Sequence, residues 1–183
     1  MKLATVSGIT PVSMRTVDET ERELVELIVK LRGPESAHDP GVGVAAREAA
    51  ELAHDNDAGL VAVVDHPSSD PAILIGTVVP SEAPRGTDIA ADLRYHLEDA
   101  GGPDIREVTE SVTDKGYPVV IAERIMVDGP LRSSPPSGCQ LQVVVIDSDG
   151  ARLAVFTMHS TTGRGWLDLA SVLGELVSTV DFS

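Results

Sequence analysis

Two apolar runs, CQLQVVVI and ARLAVFTMHS, flank the tetrapeptide DSDG between residues 139 and 160. Strand-forming runs joined by a short Asp149-Gly150 turn make a β-hairpin. A connection this short leaves no room for a crossover, so the pairing must be antiparallel. Along the second run Ala154, Phe156 and Met158 point to one face, while Val155, Thr157 and His159 point to the other. The next segment repeats Trp166, Leu169, Leu173, Leu176, Val177 and Val180 at helical spacing. Asp168 lies in its first turn, where a negative charge suits the helix dipole. A helix with that stripe belongs across the sheet, with Trp166 covering one edge. Aromatic residues are only 3% of the chain, yet its one Trp and both Phe residues lie in this region. Core is the expected role for them, since each buried aromatic is worth roughly 2–3 kcal/mol through area removed from water.

The remainder supplies matching pieces. TPVSMRTV reads as a short edge strand with Pro11 at its start. DETERELVELIVKLRG places Leu24, Leu27, Ile28 and Leu31 on one helical face, with Asp18 and Glu21 at capping-box spacing and Gly33-Pro34 as the stop. PESAHDPG is expected to be a loop. A second helix over residues 42–55 is expected to turn Ala45, Ala49, Leu52 and Ala53 inward. Residues 58–80 carry a hairpin pattern. A third helix is expected to have Thr87 as its N-cap, to carry Ile89, Leu93 and Leu97 on one face, and to close at Gly101-Gly102. IREVTESVT and YPVVIAERIMV are strands meeting around DKG, and the Pro- and Ser-rich stretch after them is a loop. The predicted fold is a single α+β domain over residues 1–183, an antiparallel sheet of about six strands flanked by helices.

Charge excludes some functions. The formal net charge is -15, spread along the chain with no basic patch. Such a field repels phosphate backbones and anionic lipid, so neither nucleic acid nor membrane is an expected partner. Cys139 is the sole cysteine, which rules out an intrachain disulfide and suits a reducing compartment. The opening MKLATVSGIT has no signal-like apolar run, and no stretch approaches ~20 uninterrupted apolar residues. A cytoplasmic protein is expected.

Catalytic constellations are sparse. His38-Asp39, His54-Asp55 and Asp65-His66 are adjacent pairs, and neighbours in a regular element diverge in direction. No H-x-x-x-H or H-E-x-x-H spacing is present. A metal or hydrolytic site therefore requires His54, His66 or His159 to converge through the fold. DPGVGVAA has G-x-G before a helix but follows a loop, lacks the third glycine and carries Asp39, which opposes phosphate. No G-x-S-x-G elbow exists. Cys139 opens an apolar strand, where a buried, inert thiol is expected. Glu107, Glu110 and Glu123 fall on strands with one face toward water. No cofactor is implied.

The run ARLAVFTMHSTT, the Trp that opens the last helix, and the ending LGELVSTVDF together resemble the C-terminal part of Mog1/PsbP-like domains, including their DUF1795-type members. Ser178 and Phe182 approximate the family's tail pattern. The hairpin and helix also resemble actinobacterial proteins of that shape. The resemblance covers about the last quarter of the chain. It implies a sandwich of sheet and helices and a largely non-catalytic role. The expectation is thus a protein-binding or chaperone-like module whose partner is a basic or amphipathic protein segment. Its expected contacts are Trp166 and Met158, if exposed at a groove, together with Leu131 and Arg132 in the adaptable loop. Homodimerisation through a sheet face or edge is compatible with it. Two other classes stay open: an immunity or antitoxin-like protein neutralising a basic toxin, and a small hydrolase or metal enzyme.

Overall fold

The structure, a computed structural model, describes residues 1–83, 88–100, 105–127 and 136–183. Seven strands form one sheet in the order β1-β2-β3-β7-β6-β5-β4, every neighbouring pair antiparallel. They are β1 (Ile9–Pro11), β2 (Leu60–Val64), β3 (Ala72–Pro80), β4 (Ile105–Val112), β5 (Pro118–Val127), β6 (Pro136–Ile146) and β7 (Arg152–Ser160). The helices are α1 (Val17–Arg32), α2 (Pro40–Asp55), α3 (Ile89–Ala100) and α4 (Trp166–Ser178). The fold is α+β, with seven strands where about six were expected. No helix among the described residues is long and apolar enough to cross a membrane.

The β6–β7 hairpin and α4 form as their pattern dictates. Ala154, Phe156 and Met158 are buried and alternate with half-buried residues along β7. They meet Leu169, Leu173, Leu176 and Val177 of α4 in the larger of two cores, joined by Val143 and Val145 of β6 and Leu74 of β3. Val180 and Phe182 close its end. The tail is tied down by Arg152, which donates to the Phe182 carbonyl at 2.8 Å, stacks over the Phe182 ring and pairs with Asp147. Lys115 pairs with Asp181 beside it.

The opposite face is covered from its two ends. At one end α1 and α2 bury Leu24, Ile28, Val42, Ala46 and Ala53 against Val61, Val63 and Ile73. At the other, α3 packs on β4 and β5, with its Arg94 reaching Glu110 of β4. Glu110 shares a cross-strand row with Val120, Val144 and Val155. That places α3 on the α1/α2 side, since directly opposed residues share a face.

Several local expectations are corrected. Thr16, not Asp18, caps α1: its extended backbone lets Oγ1 accept from the Glu19 N–H, while Asp18 already sits in the first turn. Gly33 ends α1 at φ +108°, where a Cβ would strike the Glu35 carboxylate. Leu31 lies past the buried stripe and is exposed. Residues 34–38 form a 3-10 turn rather than an open loop, and α2, capped by Asp39, starts at Pro40, two residues before the expected start. The buried face of α2 is Val42, Ala46, Ala50 and Ala53; Ala45 and Ala49 lie on its flank, and Leu52 is 52% exposed. Pro11 ends β1 instead of starting it. Strand β6 begins at Pro136, inside the expected loop. The expected cap Thr87, the stop Gly101-Gly102, and Leu131 with Arg132 lie outside the described residues.

Candidate binding groove

Among the described residues, no helix covers the centre of the sheet face between α2 and α3. The hollow there, about 260 Å³, has Ala45, Ala49 and Leu52 of α2 as one wall. Its floor is Ile73 and Ile75 of β3, Thr157 and His159 of β7, and Gln140 of β6. Register explains the set: Ile73 opposes His159, which opposes Gln140, and Ile75 opposes Thr157. Glu48 stands on the α2 lip, exposed and without an ion pair among the described residues. The imidazole of His159 is half-buried, and loss of water around it pulls its pKa below the usual value; the nearby Glu48 carboxylate partly offsets this. His159 also borders a separate narrow seam with Arg32, Asp70 and Thr162. There Arg32 pairs with Asp39 at 3.1 Å, and Thr162 donates to Asp70 at 2.9 Å.

The side chains expected to make contacts are elsewhere. Met158 is fully buried and Trp166 is 9% exposed, both in the α4 core. Trp166 Nε1 donates to Glu123 Oε1 at 2.6 Å, which anchors the indole under β5. The exposure on which their partner role depended is not met. Cys139 is buried in the same core.

The histidines do not converge. Nε2 of His54 lies 3.1 Å from the Thr20 hydroxyl at the α1–α2 seam, and Nδ1 of His96 lies 2.7 Å from the Asp92 carbonyl in α3. His66 has the most enzyme-like company, with Nδ1 2.8 Å from Ser68 Oγ and 3.8 Å from Asp168 Oδ2. Yet Ser68 sits between the other two and donates to Asp168. A base-activated serine needs the imidazole in the middle and its own proton directed to it. The cluster clasps the β2–β3 hairpin to the start of α4, and Gly165 allows the close approach. At φ +69°, Gly165 would bring a Cβ within 2.4 Å of Ser69. Among the described residues, no three His, Cys, Asp or Glu side chains are grouped to hold a metal ion.

The groove itself was not anticipated. Its signal in the sequence is the polar alternation of Gln140, Gln142, Thr157 and His159 in strands that prove central. A central strand that stays polar on one face marks a face without a helix over it.

No family model matches the chain, and no curated protein matches it. Among solved structures it is similar to the solution structure of cyanobacterial PsbP (CyanoP) from Synechocystis sp. PCC 6803. That likeness has 17% identity, covers 62% of this chain and 74% of the other, and has a TM-score of 0.37.

Proposed function

We propose that the protein is a non-enzymatic binding module that seats an amphipathic segment of a protein partner in the groove between α2 and the sheet. The observation behind this is the hollow at the centre of the sheet face, over which no described helix lies, apolar along its α2 wall and acidic at its lip. Leu52 offers an exposed aliphatic surface there. Glu48 offers a carboxylate with no cation of its own among the described residues. An apolar side chain followed by a Lys or Arg fits both. The net charge of -15 favours such a segment at longer range. Ser68 in the middle of its cluster supports a clasp instead of a nucleophile.

Calorimetric titration with a peptide alternating leucine and lysine tests this proposal. Saturable binding is expected, weakening with added salt. Leu52→Ser should reduce affinity about tenfold, in line with roughly 1.5 kcal/mol for one buried aliphatic contact. Glu48→Lys should reduce both affinity and salt dependence. The same peptide with serine in place of lysine should bind more weakly and without the salt dependence. Affinity that is absent, or indifferent to both substitutions, overturns the assignment.

A further inference from the structure

We infer that the groove extends across β6 to Arg124 and that its occupant presents a carboxylate there. Arg124 of β5 directly opposes Gln140, which directly opposes His159. The three therefore share a face, with Arg124 about 10 Å from His159 across two strand spacings. Two members of this row, Gln140 and His159, line the hollow already described.

Arg124 differs from its counterparts. Every other arginine with a described side chain forms an ion pair: Arg15, Arg22, Arg32, Arg47, Arg94, Arg152 and Arg164. Among the described residues Arg124 has no ion pair and its Nε has no hydrogen-bond acceptor, in a chain with 29 acidic residues. Its Nε is buried without an acceptor, although the residue as a whole is only half-buried. A buried N–H left unsatisfied costs free energy that an acceptor would recover. The acceptor geometry that suits a guanidinium edge is the paired oxygens of a carboxylate. A dianionic phosphate meets the same fork but is repelled more strongly by a net charge of -15. With the apolar wall at the α2 side, the chemistry is that of an amphiphilic carboxylate, its carboxyl at β5 and its aliphatic part toward Leu52. This deepens the groove assignment and rests on it only in needing the groove to be open.

The test is an NMR titration of the whole chain with decanoate, following the Arg124 Nε–H and the Gln140 side-chain amide. Decanol, decylamine and inorganic phosphate serve as comparison probes. Decanoate is expected to move both resonances to saturation, whereas decanol and decylamine leave the Nε–H in place. Arg124→Gln should weaken decanoate about tenfold without changing decanol. Arg124→Lys, which keeps the charge but loses the fork, should also bind decanoate more weakly than the parent, and it serves if Arg124→Gln does not fold. The inference falls if the Nε–H ignores decanoate, if all probes act alike, if phosphate alone moves it, or if the folded variants bind decanoate unchanged. Peptide binding with an unresponsive Arg124 removes this inference alone. A decanoate response without peptide binding removes the protein partner alone.

Discussion

His159 carries a titration that can be read from stability. Burial holds its folded pKa below the unfolded value of about 6.5. The native state then resists a proton that the unfolded chain accepts, so stability is fully present above that value and declines as pH falls through the interval beneath it. Denaturant midpoints of the parent should drop on acidification below about 6.5, and His159→Gln should flatten that slope. Equal slopes would contradict the burial described for the ring. Asp181 acts lower on the scale. The hydrogen bond from Lys115, aided by Ser183, holds its carboxyl well below the usual range. Its contribution is present above about 4 and is lost as pH falls further. Lys115→Met should remove that acid-side contribution. Trp166 has a different dependence: Trp166→Phe keeps most of the ring packing and removes the donor to Glu123. A loss of about 1–2 kcal/mol is expected in urea unfolding, because a hydrogen bond to a charged acceptor exceeds a neutral one.

For single elements, legibility depended on whether side-chain size marks a phase. Strand β7 and most of helix α4 were legible, since Phe156, Met158, Leu169 and Leu173 are large and recur on one period each, although buried Val172 was not assigned to the stripe and Val180 lies past the helix end. Helix α2 was not. Alanine occurs at 45, 46, 49, 50 and 53, so two adjacent faces score alike, and Leu52 drew the assignment toward the side that proves exposed. The cap of α1 was missed for a related reason: Thr16 and Asp18 are both good cap residues, and only backbone geometry separates them. The corrected phase has a measurable consequence. Ala46 has no exposure and packs against the sheet, so Ala46→Leu should overpack the seam and cost about 1–3 kcal/mol. Ala45→Leu, on the half-buried flank, should change stability little but narrow the groove. Comparable losses for the two variants would restore the phase first expected.

For the whole molecule, the α+β sheet was readable because hairpins and helical stripes are local patterns. The groove was not, because it depends on how three helices divide one sheet face. Gln140 and His159 are far apart in sequence and become neighbours only once β6 and β7 are known to be central strands. Function follows from that division. One face is closed by α4 and serves stability; on the other, the described helices lie at the two ends and leave a bordered strip between them. The same argument accounts for where the bulk of the chain went. Trp166 and both Phe residues close the α4 face, whereas the strip on the other side carries smaller and more polar side chains.

The central claim is that this strip is where a partner segment docks. Amide NMR during titration with the leucine–lysine peptide tests it most directly. Shifts confined to α2, β7 and β6, including the residues around Leu52, His159 and Gln140, are the predicted result. A map centred instead on His66, Ser68 and Asp168, or no shifts at saturating peptide, would contradict it.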